Sequence, residues 1–139
     1  MTIENQFMDT TAPKRKVLII EDELIIQRLV RVVFERDGFE VFLANDGSEG
    51  IRLALTNPPH IIILDIMMEG LNGFEVCKML RANSSLRRTA IIIVSARSFK
   101  PDIDKAMELG ADSYVVKPFS PQDLLTIAVQ HMNVRASRP

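Results

Sequence analysis

The chain has 139 residues, 47% of them hydrophobic, and a formal net charge of −1. That length suits one domain with a single core that needs no staples, and the composition excludes a disordered chain. A near-neutral balance without long single-sign blocks argues against direct binding to nucleic acid or to a membrane surface.

Residues 1–13 are polar and aperiodic and read as a disordered leader; Lys14-Arg15-Lys16 reads as a solvated strand edge. Val17-Leu18-Ile19-Ile20 is a short aliphatic run of the kind that forms a strand buried on both faces. Ile25, Leu29, Val32 and Val33 follow at helical spacing and predict a helix with that face inward, stopped at Gly38. Phe39 to Leu43 reads as a second strand. Gly47 to Leu55 reads as a helix ended by Asn57-Pro58-Pro59. Ile61-Ile62-Ile63-Leu64 is the third strand, and Asn72-Gly73 turns the chain into a helix carrying Phe74, Val76, Cys77 and Leu80. The fourth strand is Ala90 to Val94. The next helix carries Ile103, Ala106, Met107 and Leu109 and is closed by Gly110. Tyr114-Val115-Val116 is the fifth strand. Ser120 and Pro121 are the N-cap and first residue of a last helix facing inward through Leu125, Ala128, Val129 and Met132. Residues 134–139 read as a short polar tail.

Strict alternation of five strands with five helices predicts an α/β fold, a parallel sheet with helices on both faces. Ligands of such sheets bind at the carboxyl ends of the strands. The polar residues that end the aliphatic runs converge there: Glu21-Asp22, Asp65, Ser95 and Lys117. Three carboxylates without counter-charge repel one another. A hard cation resolves this, and oxygen ligands suit magnesium better than zinc. A carboxylate beside magnesium and a lysine is also a competent nucleophile toward a phosphoryl group. Ser95 could then donate a hydrogen bond to a phosphoryl oxygen. The plainer reading of Glu21-Asp22 is a loop that caps the first helix.

The segments VLIIEDE (17–23), IIILDIMMEGLNGFEVCKMLR (61–81), IIIVSA (91–96) and GADSYVVKPFS (110–120) occur in the order found in response-regulator receiver domains of two-component signalling, which the chain resembles over roughly residues 14–133. The resemblance implies a flavodoxin-like (βα)5 fold with strand order 2-1-3-4-5. It implies that Asp65 accepts a phosphoryl group from a histidine kinase or a histidine phosphotransfer protein. It implies magnesium, or manganese in its place, held by Asp22, Asp65 and the backbone carbonyl of Met67, with Glu21 acting through water. Lys117 would pair with the phosphoryl group, and the Lys117-Pro118 bond would be cis. Ser95 and Tyr114 would form the switch. Its readout would be the surface of the fourth helix, fifth strand and fifth helix, where a downstream partner or output domain, or a second copy, would bind.

Glu69 stands where the family often has proline, which adds negative charge and removes a fixed φ near Asp65. Met67 and Arg97 flank the expected line of water attack on a phosphoaspartate, so both are expected to influence phosphoryl lifetime. Cys77, the only cysteine, reads as a core residue. His60 and His131 have no partners at metal-ligand spacing. No apolar run is long enough to span a bilayer and no signal peptide is evident, which together with the lone cysteine predicts a soluble, cytoplasmic protein.

Three other readings compete with a stand-alone phosphoacceptor. One is a receiver cut from a longer regulator with a DNA-binding or enzymatic output. Another is an aspartyl-phosphate phosphohydrolase, which would place a second aspartate where Met67 stands. The last is a flavodoxin, whose phosphate loop is incompatible with Glu21-Asp22.

Overall fold

A computed structural model describes residues 13–138. Residues 1–12 of the expected leader, and Pro139 of the tail, lie outside the described residues. The strands are β1 (Lys16–Ile20), β2 (Glu40–Ala44), β3 (Ile61–Asp65), β4 (Ala90–Ser95) and β5 (Ser113–Val116). The helices are α1 (Leu24–Arg36), α2 (Gly47–Thr56), α3 (Gly73–Ala82), α4 (Lys100–Glu108) and α5 (Pro121–Ala136), with a 3-10 turn at Ser84–Leu86. All sheet pairings are parallel, in the order β2-β1-β3-β4-β5. The order implied by the family resemblance is the one observed.

Side-chain alternation splits the core in two. Leu18, Ile20, Ile62, Leu64, Ile91 and Ile93 pack with Ala54 of α2, Val76, Cys77 and Leu80 of α3 and Ala106 of α4. Val17, Ile19, Ile61, Ile63, Ile92 and Val94 pack on the opposite face with Val30 and Phe34 of α1 and Leu124, Ala128 and Met132 of α5. Every residue of β3 and β4 is buried, as a central parallel strand covered on both faces requires.

Ends of elements follow the local chemistry. Gly38 and Gly110 adopt positive φ just past α1 and α4. Ser120 accepts the Asp123 N–H as N-cap of α5, with Pro121 in the first turn. At Gly73 a Cβ would lie 2.2 Å from the Ile66 Cα, so only glycine lets α3 begin this close to the end of β3.

The structure departs from the sequence pattern in several places. The second strand lies one residue later than expected. Helix α1 forms but is rotated: Ile25, Leu29 and Val32 are exposed, whereas Ile26, Gln27, Val30, Val33 and Phe34 turn toward the sheet. Both apolar sets repeat at helical spacing, and Phe34, fully buried and edge-on to Phe39 with centroids 5.2 Å apart, belongs to the second. On α4, Met107 is exposed and only Ala106 is fully covered. Helix α5 runs on to Ala136, into the expected tail.

At the amino edge of the sheet, Asp112 bridges two layers. Its carboxylate accepts from Arg81 of α3 at 3.0 Å, from Arg135 of α5 at 2.8 Å and from the Ile91 N–H at 2.9 Å. Arg81 also donates to the carbonyls of Leu86 and Gly110, and Arg135 to that of Arg87.

Candidate functional site

The register brings the chemistry to one edge. Ile20 pairs with both Ala44 and Leu64, Asp65 with Val94, and Ser95 with Val116. Glu21 and Lys117 therefore leave their strands beside the ends of β3 and β4. Glu21 and Asp65 are almost fully buried, Ser95 is fully buried and Asp22 is exposed. One carboxylate oxygen from each of Glu21, Asp22 and Asp65 lies within 4.8 Å of the others. Oxygen donors this close, with Asp22 open to solvent, suit a hard divalent cation.

Lys117 joins them from β5. Its ammonium donates to Glu21 at 2.9 Å, to Asp65 Oδ2 at 3.2 Å and to Glu23 at 3.4 Å. The other oxygen of Asp65 accepts the Met67 N–H at 2.9 Å. The Lys117-Pro118 peptide is cis, and the Lys117 N–H donates to the Ser95 carbonyl at 2.7 Å.

Burial, reinforced by the neighbouring Asp65 carboxylate, pushes Glu21 up to about 7 against the opposing bond from Lys117. Burial works against the Lys117 ammonium, but its bond to Glu21 and the charge of Asp65 outweigh it and push the lysine up to about 12. The cavity is thus short of positive charge by its own side chains.

Ser95 and Tyr114 meet at one residue. Ser95 Oγ accepts the Arg97 N–H at 3.1 Å, and the Tyr114 hydroxyl donates to the Arg97 carbonyl at 2.9 Å. Arg97 and Met67 line one cleft beside the cluster, and Glu69 lines another with Asp22 and Asp46.

The remaining candidates have structural partners. Cys77 is fully buried, and burial raises its thiol to about 11. His60 accepts the Lys16 N–H through Nδ1, and burial followed by the charges of Lys16 and Arg15 lowers its pKa. Asp22 is not the cap of α1. Glu23 occupies that position, and among the described residues its carboxylate receives no capping bond.

Two residues at the site escaped the sequence pattern. Buried Gln27 donates to the Glu21 carbonyl at 2.6 Å and to Asn45 at 2.8 Å, fixing the backbone that carries the acidic pair. It shares a helical face with Val30 and Phe34, so a correct choice of inward face would have exposed it as a buried polar residue. Glu23, the third carboxylate on Lys117, gives no periodic signal.

The profile of the family described as Response regulator receiver domain matches residues 17–129. The alkaline phosphatase synthesis transcriptional regulatory protein PhoP of Bacillus subtilis is 39% identical over 110 residues, 79% of this chain and 45% of its own. The DNA-binding response regulator MtrA of Mycolicibacterium smegmatis is 32% identical over 118 residues, 85% of this chain and 50% of its own. The chain thus spans about half the length of these curated relatives. Among solved structures, the receiver domain of the sensor histidine kinase PA1611 of Pseudomonas aeruginosa superimposes with a TM-score of 0.79 at 25% identity, covering 87% of this chain and 99% of its own. That structure has a magnesium ion coordinated in its active-site cleft.

Proposed function

The chain belongs to the response-regulator receiver family, and from that premise we propose that it is a phosphoacceptor whose Asp65 takes a phosphoryl group from a protein phosphohistidine. The observation that carries this reading is the Lys117 ammonium on Asp65 Oδ2, beside Glu21 and Asp22. In the reaction the donor's N–P bond breaks and an O–P bond forms on Asp65. Apart from the nucleophile, the protein must supply alignment and neutralisation of the equatorial oxygens. Met67 N–H orients Asp65 through one carboxylate oxygen, which leaves the other, now on Lys117, to attack.

Asp22, Asp65 and the Met67 carbonyl would hold magnesium or manganese, with Glu21 acting through water. Such an ion supplies charge neutralisation to the phosphoryl oxygens when bound. The acidic cluster and the magnesium-bound PA1611 receiver support this assignment. Lys117 would pair with the phosphoryl group.

Ser95 accepts from Arg97, so its own proton is available for a phosphoryl oxygen. Moving Ser95 inward would release the Arg97 N–H, while Tyr114 holds the carbonyl of the same residue. The switch we propose is this shared hold on Arg97, biased by the new dianion. Its readout is the α4–β5–α5 surface, where Phe99 and Met107 are exposed, open to a downstream partner, an output domain or a second copy.

A protein donor fits the surroundings. The exposed Ile25, Leu29 and Val32 lie on α1, and Leu29 also lines an apolar groove with Ile26, Phe119 and Pro121 that reaches Lys117. The relatives named as transcriptional regulators, of whose length the chain spans about half, support a second reading beside the stand-alone module, residues 14–133 as the receiver of a longer transcriptional regulator. Among the described residues no helix is long and apolar enough to cross a membrane, in keeping with a cytoplasmic signalling role. Turnover of external phosphoesters is disfavoured because Met67 occupies the general-acid position.

The test is intact-mass spectrometry after incubation with acetyl phosphate and magnesium. One phosphoryl adduct is expected, lost in Asp65→Ala and without the metal. An adduct that persists in Asp65→Ala would overturn the assignment.

A further inference from the structure

The Lys117 ammonium has three N–H donors, and three carboxylates lie within reach of them: Glu21, Asp65 and Glu23. All of its donors are thus engaged, and before the O–P bond forms on Asp65 an incoming phosphoryl oxygen can be bound only if one carboxylate lets go. The three are not equally free to do so. Side chains of Glu21 and Asp65 are 1% and 2% exposed, whereas that of Glu23 is 62% exposed. Releasing a buried carboxylate strands an unpaired charge; releasing Glu23 returns it to water at small cost. Glu23 also has the longest of the three contacts, 3.4 Å against 2.9 and 3.2 Å. It is the N-cap residue of α1, yet its carboxylate reaches across to Lys117 instead of capping the helix.

We propose that Glu23 is a positioning residue that occupies, through Lys117, the hydrogen-bond donor later needed by the phosphoryl group, and so slows acceptance at Asp65. This rests on Asp65 being the acceptor. Glu23 does not touch the reacting atoms; it acts through the lysine. Because the contact is exposed, its effect is salt-sensitive.

The experiment follows the phosphorylated fraction over time by intact mass, with acetyl phosphate and magnesium, in wild type, Glu23→Gln and Glu23→Asp. Glu23→Gln keeps an oxygen at the same reach but, being uncharged, holds the ammonium more weakly, so it is expected to be phosphorylated about two- to fivefold faster at low salt, the range of an exposed ion pair. The advantage should shrink toward onefold at high salt. Glu23→Asp keeps the charge but is one methylene shorter, so it should behave like Glu23→Gln. A merely structural role would change the thermal midpoint without this salt-dependent rate. Equal rates in wild type and Glu23→Gln would overturn the proposal while leaving Asp65 as acceptor. A Glu23→Asp rate equal to wild type, with Glu23→Gln faster, would assign the effect to charge at a distance and also overturn it. No adduct in any of the three proteins would overturn the acceptor reading, and this proposal with it.

Discussion

The two ends of the sheet both bury charge, in opposite ways. At the amino edge one carboxylate, Asp112, lies between two guanidiniums, and Arg81 and Arg135 find further acceptors in backbone carbonyls. Among the described residues no buried side-chain nitrogen or oxygen of that node lacks a partner. At the carboxyl edge one ammonium serves Glu21, Asp65 and Glu23, with Asp22 close by. There burial and a like-charged neighbour lift Glu21 to about 7. One node joins α3, α5 and the strand ends and can be read as structure. The other carries negative charge without a sufficient counter-ion, an arrangement that costs stability unless a cation arrives.

The sharpest way to break this contrast is to remove Asp112. Asp112→Ala would leave two mostly buried guanidiniums without their shared carboxylate, which is expected to cost about 3–5 kcal/mol in urea unfolding. The loss should be nearly flat from about pH 5 to 9, because arginine stays charged throughout. A loss under about 1 kcal/mol would show that the amino-edge node does not hold the layers together.

The carboxyl edge should instead depend on pH and metal. Glu21 has its ordinary pKa of 4.5 when unfolded and about 7 when folded, so between those values the folded protein binds more protons. Metal-free stability should therefore be highest below the lower value and fall as pH rises through the upper one, by on the order of 3 kcal/mol from this group. Magnesium at a hundredfold excess over its Kd is expected to return about 2.7 kcal/mol at pH 8, and much less at pH 5, where Glu21 is protonated. Glu21→Gln should flatten the metal-free profile. A wild-type profile already flat across the window would remove the electrostatic conflict assigned to this edge.

A smaller effect sharpens the amino edge. Arg135→Lys keeps a positive charge near Asp112 but loses the guanidinium fork that also reaches the Arg87 carbonyl. It is expected to cost about 1 kcal/mol, one hydrogen bond of the pair. A loss as large as that of Asp112→Ala would mean that geometry, not charge, holds the node.

Most of the carboxyl edge was legible because aliphatic runs end abruptly in polar residues. Val17 to Ile20 stops at Glu21, Ile61 to Leu64 at Asp65, Ala90 to Val94 at Ser95, and Val116 at Lys117. Parallel pairing then has no choice but to gather these ends. The amino-edge node was not legible. Arg81, Asp112 and Arg135 come from separate elements, and nothing in their spacing links them. The inward face of α1 is not legible in the pattern, because Leu24 to Phe34 is apolar around most of its circumference. Periodicity identifies a helix in such a segment but does not fix its rotation. That same rotation hid Gln27.

By itself, then, the sequence determined the five strands, their alternation with helices and the residues at the strand ends, because strand burial and chain punctuation are local properties. The tertiary structure decided which face of α1 packs inward, that Gln27 holds the Glu21 backbone, that Asp112 joins two arginines, and that Glu23 shares Lys117. Each of these depends on how side chains from separate elements compete for the same space or the same hydrogen-bond donor, and that competition exists only once the elements are packed.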